Sequence, residues 1–246
     1  MHHRIIAALA VAATALSIVG PGTVAASSAH GGTVYIETNA AGGNAVAAYQ
    51  RHADGTLTWS ADYATGGTGT GAGLASQGSV ALSTDGRTLL AVNAGSNDVS
   101  AFAVRPDGSL QFVSRASAGG TDPISVTIHD DLVYVLDAGG TGNIAGLFDI
   151  GGRLFAVPGW TQPLSGAGTS PEQISFNPDG RVLVVTEKGA NKIVTFRVAW
   201  FGRAGAPVVQ ASVGAAPYGF AFDARGGVFV SEAATSALSS YRVEPL

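Results

Sequence analysis

The sequence predicts an all-β fold of four-stranded antiparallel sheets, with about five such sheets along the chain. Three observations predict it. A pattern of short apolar runs recurs every 45 to 53 residues, Asp-Gly pairs separate many of these runs, and no long stretch after the N-terminal segment has a helical period. Repeats of about 40 to 50 residues built from several short strands are typical of β-propellers, in which each repeat forms one blade.

One aromatic residue near the end of the third strand marks each copy of the repeat. The five residues are Tyr49, Phe102, Phe148, Phe196 and Tyr241, separated by 53, 46, 48 and 45 residues. Each copy contains runs of about five residues rich in Val, Ile, Phe and Thr, which is the composition expected of strands. Asp-Gly pairs suit the hairpins between the strands because glycine tolerates positive φ. We therefore interpret each repeat as one blade.

The predicted strand count is uneven at the two ends. The first copy begins at the strand that is second in the other copies, and the last copy ends after its third strand, which gives three, four, four, four and three strands. Propellers protect their edges by closing the ring. We expect either a ring that closes imperfectly on five blades or a truncated piece of a longer propeller, and we favour the second interpretation. The glycine-rich stretch 66–73 is expected to be a flexible loop between the first two blades.

The composition excludes several classes of protein. The 246 residues are 46% hydrophobic and 12% charged, whereas an average globular chain is roughly 25% charged, so a charged disordered chain and a coiled coil are excluded. The formal net charge of −4 leaves no polybasic patch for nucleic acid or anionic lipid. The chain has no cysteine and therefore no disulfide or thiolate nucleophile. No cofactor and no metal ligand set is predicted.

Residues 1–29 are predicted to be a secretory signal peptide. A short basic start precedes a small and apolar run at 5–19, and small residues allow cleavage after Ala26 or Ala29. That run is shorter than the roughly 20 residues that span a bilayer. We therefore expect a secreted or extracytoplasmic protein of the cell envelope, with no membrane span after cleavage. Residues 30–246 are expected to form a single, partial β-propeller domain.

Several motifs carry a resemblance to a known family. Tyr-Val-Leu-Asp at 134–137 and Leu-Ala-Val-Asn at 90–93 resemble YVTN-type repeats. With Asn-Pro-Asp-Gly-Arg at 177–181 and Arg-Pro-Asp-Gly-Ser-Leu at 105–110, residues 33–246 resemble the lactonase family of seven-bladed propellers, which includes the propeller type of 6-phosphogluconolactonase. The resemblance implies seven blades and a lactone or carboxylic-ester hydrolase.

The resemblance also implies a site, most of which this chain lacks. The stretch 122–125 has no histidine, and Ser-Pro-Glu-Gln at 170–173 stands where the family has Gly-Pro-Arg-His. Ala233 follows Glu232 where the family has an arginine, whereas Glu187 matches a family glutamate. Glu187 is therefore the expected catalytic base, and no matched residue supplies the cation that an anionic substrate needs. We expect inefficient lactonase turnover.

A second set of candidate residues ends the second strand of each copy. They are Asn39, Asn93, Asp137, Glu187 and Glu232. Repeat symmetry predicts that they lie at one end of the central channel. They are interpreted either as a ligand-binding ring, in which Asn93, Asp137 and Glu232 bind the ligand, or as capping residues solvated at the channel mouth. The three carboxylates could also offer oxygen ligands to a cation.

Three functional hypotheses follow. The first is a lactone hydrolase with Glu187 as base, which requires an arginine or histidine beside Glu187 in the folded chain. The second is a non-catalytic module that binds a small lactone-like or sugar-like molecule or a protein partner. The third is a cation site, which requires the three carboxylates to converge. We expect a monomer in each case.

Overall fold

The computed structural model describes residues 32–243, which form five separate antiparallel sheets. In each sheet the strands follow one another in chain order, so that every blade is a simple meander. The predicted signal peptide (1–29) lies outside the described residues, as do the two residues after it and the last three of the chain. Within 32–243 the structure has no helix that could span a membrane.

The strands are short and evenly distributed among the blades. Blade 1 contains β1 (Thr33–Glu37), β2 (Ala45–Arg51) and β3 (Leu57–Ala64). Blade 2 contains β4 (Val80–Leu82), β5 (Thr88–Asn93), β6 (Asp98–Val104) and β7 (Leu110–Ser117). Blade 3 contains β8 (Pro123–His129), β9 (Leu132–Asp137), β10 (Asn143–Ile150) and β11 (Arg153–Pro163). Blade 4 contains β12 (Pro171–Phe176), β13 (Val182–Glu187), β14 (Lys192–Val198) and β15 (Ala204–Ala211). Blade 5 contains β16 (Pro217–Phe222), β17 (Gly227–Glu232) and β18 (Ala237–Arg242).

The predicted all-β propeller, with three, four, four, four and three strands, is confirmed. The Asp-Gly turns also lie where the sequence places them. Gly86 connects β4 to β5 and Gly180 connects β12 to β13, both with a φ of 70°. Residues that carry a side chain rarely adopt this left-handed backbone conformation, which explains why glycine follows aspartate in both turns.

The hydrophobic core lies between neighbouring blades rather than within them. One buried cluster joins blades 3 and 4 through Tyr134 and Leu183, and another joins blades 2 and 3 through Leu90 and Val135. The central strand β13 is buried along its whole length because a blade covers each of its faces. In contrast, Phe229 on β17 is partly exposed, so the outward face of blade 5 is covered less than the faces between blades.

The aromatic marker of the repeat is displaced by one position in blade 3. When the blades are aligned on the last residue pair between their second and third strands, Leu147 of blade 3 is equivalent to Phe102 of blade 2 and Phe196 of blade 4. Leu147 is buried in the core, whereas Phe148 turns to the other face of the sheet and packs on Trp160, with ring centroids 5.2 Å apart. The predicted step of 46 residues therefore spans two non-equivalent positions.

The glycine-rich stretch 66–73 connects blades 1 and 2, as the sequence predicts, and hydrogen bonds join it to blade 1. It lies in the long segment between β3 and β4. Asn39 fixes it, because the Asn39 side chain donates to the Thr70 hydroxyl at 2.8 Å and accepts from the Thr70 backbone amide at 3.0 Å. A Cβ at Gly69 would lie 2.2 Å from the Asn39 backbone, so only glycine fits against it.

Candidate functional site

Four of the predicted site residues occupy equivalent places in the fold. Asn93, Asp137, Glu187 and Glu232 each end the second strand of their sheet in the last ladder pair. In blade 1 that place belongs to Thr38, whose backbone amide donates to the Ala45 carbonyl at 2.9 Å. Asn39 lies one residue further along the chain and holds the 66–73 loop instead.

The four side chains are buried beneath the loops that join the blades. A Cβ at Gly67, in the loop from blade 1 to blade 2, would lie 2.4 Å from Asn93 Cγ. A Cβ at Gly214, in the loop from blade 4 to blade 5, would lie 2.3 Å from Glu232 Cγ. We call these four positions the loop seats. They face the inter-blade loops, and all four residues are buried.

Glu187, the expected base, has both carboxylate oxygens engaged at its loop seat. The backbone amide of Ser165 donates to Oε1 at 2.9 Å, and the Ser165 hydroxyl donates to Oε2. Blade 5 repeats the serine contact, since the Ser212 hydroxyl donates to Glu232 Oε1 at 2.7 Å, although Glu232 Oε2 has no hydrogen-bond partner in the described residues. Among the described residues, no histidine or arginine forms an ion pair or hydrogen bond with Glu187. The repetition indicates that Glu187 orients a loop.

Asn93 and Asp137 show that the same seat accepts an amide or a carboxyl group. The amide nitrogen of Asn93 donates to Asp98 at 2.6 Å and to Ser100 at 2.8 Å. Asp137 Oδ2 accepts from Asn143 at 2.9 Å, whereas its buried Oδ1 has no hydrogen-bond partner in the described structure. Burial raises the pKa of Asp137 to about 8, although the Asn143 hydrogen bond opposes the shift.

The loop seats do not converge on a common point. In residues 32–243 there is no group of three or more His, Cys, Asp or Glu side chains that could hold a metal ion. The geometry that the cation hypothesis requires of Asp137, Glu187 and Glu232 is therefore absent from the described structure.

A polar cavity of about 330 Å³ lies between the ends of blades 3 and 4, close to where their first strands begin. Glu172 and Lys188 line it together with Asp122, Leu74 and Ala75. We call it the Glu172 cavity.

A β-bulge places Glu172 in this cavity. Pro171 pairs with Glu187 and Gln173 pairs with Thr186, so Glu172 is an extra residue in the ladder between β12 and β13. Bulges of this kind redirect one side chain relative to the strand and are frequent beside functional sites. Blade 5 has a corresponding irregularity after Pro217, and Tyr218 lies within it.

The Glu172 side chain is an acid in a largely dehydrated position beside a cation. It is 1% exposed, and its Oε1 forms an ion pair with Lys188 Nζ. Its buried Oε2 has no hydrogen-bond partner in the described residues. Burial raises the pKa of Glu172, while the hydrogen bond and charge of Lys188 oppose the increase. Lys188 Nζ also lies 5.1 Å from the centre of the Tyr218 ring, within cation–π range.

A second cavity, of about 600 Å³, adjoins the first. Glu37 and Tyr218 line it, and it shares Leu74 and Ala75 with the Glu172 cavity. Glu37 Oε1 accepts from Asn44 at 2.7 Å, and burial raises the pKa of Glu37 to about 7. We call this second cavity the Glu37 cavity.

The segment 74–79 contributes to the walls of both cavities and is hydrogen-bonded to blades 3 and 4. The Ser76 hydroxyl donates to the Ile124 carbonyl of blade 3 at 2.8 Å, and the Gln77 amide donates to the Glu172 carbonyl of blade 4 at 2.9 Å. The amide of Val126 in blade 3 donates to the Gly78 carbonyl at 2.8 Å. This segment therefore fixes the backbone of Glu172 relative to two other blades.

Sequence reasoning singled out Glu187 and missed the pair formed by Glu172 and Lys188. A signal for the pair was present, because the Asp179-Gly180 turn sets a hairpin register that brings 170–173 opposite 186–188. Lys188 is also one of only two lysines in the chain. The bulge at Glu172 follows Pro171, and register shifts also follow Pro123 in blade 3 and Pro217 in blade 5, so a proline marks its place in the repeat.

We expect Asp137→Asn to flatten the pH dependence of stability. The folded pKa near 8 exceeds the ordinary aspartate value of 3.8, so between these values the folded chain holds one proton more than the unfolded chain. The stabilising contribution of protonated Asp137 is full below pH 3.8 and is lost as the pH rises through 8. Asparagine occupies the equivalent seat in blade 2 and does not titrate.

Urea unfolding of both proteins at pH 5 and pH 8 tests this expectation. The free energy of unfolding should fall more steeply with pH in the wild type, by at most about 1.4 kcal/mol per pH unit relative to the variant. Parallel pH profiles would contradict the assignment of a protonated Asp137.

The comparisons with solved structures agree on the fold. A Lactobacillus plantarum protein is 20% identical with a TM-score of 0.66, over 86% of this chain and 64% of that one. The periplasmic gluconolactonase PpgL of Pseudomonas aeruginosa is 23% identical with a TM-score of 0.60, over 82% of this chain and 60% of that one. A gluconolactonase from Xanthomonas campestris is 16% identical with a TM-score of 0.54, over 81% and 68%.

The chain thus spans less than two thirds of the length of the first two structures. No curated protein matches its sequence. A family model described as lactonase, 7-bladed beta-propeller, matches residues 20–153, which is more than half of the chain. Together with the YVTN-like repeats and the blade architecture, this match shows that the chain belongs to the lactonase family of seven-bladed β-propellers.

Proposed function

We propose that this protein hydrolyses an uncharged sugar lactone bound in the Glu172 and Glu37 cavities. Glu172 is the general base, and Lys188 and Tyr218 are the hydrogen-bond donors. The observation that carries the proposal is the buried Glu172–Lys188 pair on the wall of a polar cavity between the ends of blades 3 and 4. The lactonase and gluconolactonase relatives support the same class of reaction.

The chemistry needs a base for water and a donor for the oxygen that becomes negative. Glu172 takes a proton from water as the water oxygen bonds to the lactone carbonyl carbon. Lys188 stabilises the negative charge on the carbonyl oxygen. The ring C–O bond then breaks, and the proton held by Glu172 passes to the departing ring oxygen, so one water is added and an open hydroxy acid is formed.

Burial suits Glu172 for this role because it raises the pKa and makes the carboxylate a stronger base. The Lys188 charge keeps the carboxylate form accessible despite that burial. Glu172 stands where the resemblance places an arginine of the family, so the acid and the cation have different positions in this chain. Lys188, the residue directly after β13, supplies the missing positive charge.

The charges around the cavities favour a substrate without a phosphate. Glu37, Asp122 and Glu172 contribute three acidic groups, whereas Lys188 is the one cation among the residues lining the two cavities in the described structure. Lys188 is already paired with Glu172. A phosphate group needs cationic donors to replace its hydration, so we expect glucono-δ-lactone to be hydrolysed in preference to 6-phosphogluconolactone.

Two glutamate variants test the assignment of the base. Glu172→Gln should lower kcat for glucono-δ-lactone by roughly 10²- to 10⁴-fold, the usual contribution of a general base. Glu187→Gln is the matched comparison, because it changes a buried glutamate on the adjacent strand that holds a loop and does not take up a proton; wherever it folds, it should lose clearly less activity than Glu172→Gln. Hydrolysis is followed by proton release, with the spontaneous reaction subtracted.

The opposite ranking would overturn the proposal. If Glu187→Gln abolishes activity with an unchanged circular dichroism spectrum while Glu172→Gln does not, Glu187 is the base. If the folded wild type hydrolyses neither lactone, the cavities belong to a non-catalytic binding module, and the hydrolase proposal fails.

We also propose that the protein acts outside the cytoplasm. The support is the pattern at 1–29, and the similarly folded PpgL is described as periplasmic. When the full chain is expressed in a bacterial host, N-terminal sequencing of the exported protein should begin at Ser27 or His30. An intact N-terminus on protein confined to the cytoplasm would contradict the proposal.

A further inference from the structure

A groove of about 860 Å³ lies between blades 3 and 4 at the other end of the ring from the Glu172 cavity. The opposite placement follows from β8 and β12, because the residues that begin these strands line the cavity and those that follow them line the groove. Trp200 and Phe201, in the turn between β14 and β15, form one side with Phe148. The proposed lactonase site uses none of these residues.

Trp200 is the most exposed large apolar residue described in the chain, with 96% of its surface accessible. Its ring makes an edge contact with Phe201, with centroids 5.7 Å apart and an angle of 87° between the planes. The Phe201 ring also lies against Trp160, and Trp160 packs on Phe148. An indole this exposed adds almost no buried area to the fold, so its cost in hydration is not offset by packing.

The turn that carries Trp200 is held rigidly. The buried Tyr134 hydroxyl donates to the Gly202 carbonyl at 3.0 Å and accepts from the Ala204 amide at 2.7 Å. A Cβ at Gly202 would lie 3.0 Å from Leu132 and 3.2 Å from Trp160, so the turn is packed closely onto blade 3. The backbone next to Trp200 is therefore anchored to blade 3, which limits the backbone entropy that binding would cost.

Paired hydrogen-bonding groups accompany the aromatic residues. The residues lining the groove include Asp130, Asp131, Asp179, Arg181, Arg197 and His129, and His129 Nδ1 lies 3.5 Å from an Asp130 oxygen. Carboxylate and guanidinium groups each present two hydrogen-bonding atoms at a fixed spacing, which matches neighbouring hydroxyls on a sugar ring. Three acids against two bases leave the groove nearly neutral, which favours an uncharged ligand over an anionic polymer.

We propose that this groove is a carbohydrate-binding site in which a pyranose ring packs on Trp200 and its hydroxyls bind the Asp and Arg side chains. A pyranose has a face of C–H groups that packs on an aromatic ring and a rim of hydroxyls that needs polar partners. The groove supplies both, and its volume lies within the range of small-molecule sites. The ligand class is a neutral polysaccharide or its free oligosaccharides.

Affinity electrophoresis of the folded chain tests the proposal. Native gels containing laminarin, hydroxyethylcellulose, xylan or soluble starch are compared with a gel without polysaccharide. We expect at least one polysaccharide to retard the wild type, and Trp200→Ala to weaken that binding about tenfold or more. Trp59→Ala is the matched control, because Trp59 is also well exposed, at 57%, but lies on blade 1; it should migrate like the wild type.

Calorimetry with oligosaccharides of the polymer that binds separates the two sources. Heat of binding that Trp200→Ala removes would support recognition of a short sugar segment, and retardation by the polymer alone would support recognition of the chain. The proposal is overturned if no polysaccharide retards the wild type, or if Trp200→Ala and Trp59→Ala behave alike. It is also overturned if Trp200→Ala changes only self-association in sedimentation, because the surface is then a protein contact.

Discussion

The burial of one polar side chain beneath each loop between blades is the constraint on which the rest of the structure depends. Each of the four loops between blades runs from the last strand of one sheet to the first strand of the next. The backbone N–H and C=O groups of these loops need hydrogen-bond partners. The loop seats meet part of this need, as when Glu187 accepts both the amide and the hydroxyl of Ser165. Because the residues at the loop seats hold these loops in place, they also determine where the first strand after each loop begins.

As a consequence, the proposed catalytic centre lies where the first strand of a blade begins. The loop seated on Glu187 leads to Ser170, which has a φ of 45°, and then to Pro171 and the bulge at Glu172. A buried carboxylate is costly unless a cation accompanies it, and Lys188 provides that cation from the adjacent strand end. Glu187, whose two oxygens both accept from the loop, and Glu172, whose Oε2 has no hydrogen-bond partner in the described residues, thus lie at the facing ends of two adjacent strands.

The sequence was sufficient to predict the architecture because strand period and turn chemistry are local properties. The Asp-Gly turns and the number of strands per blade required no knowledge of tertiary contacts. The register errors have a physical origin: Phe148 lies on the other face of its sheet because its neighbour Leu147 fills the core, and Asn39 lies one residue beyond the end of the ladder. A shift of one residue reverses the face of a strand residue.

The site was predicted less well than the fold. Family resemblance selected Glu187, yet its surroundings depend on Ser165, which lies in the loop between blades 3 and 4. The pairing of Glu172 with Lys188 depends on a bulge, whose place a proline marks in three blades, and on the burial of the Glu172 side chain, which residue types alone do not give. The exposure of Trp200 and the line of aromatic residues behind it became visible only in the folded chain.

The most direct test of the central claim is the pH dependence of kcat/KM for glucono-δ-lactone in the wild type and in Lys188→Met. Activity should rise with pH as Glu172 loses its proton, and removing Lys188 removes the charge that lowers the pKa of Glu172. The account predicts that the rising limb moves to higher pH in the variant, together with a lower maximum rate. A limb at the same pH in both proteins would contradict it, because the catalytic base would then be a group that does not face Lys188.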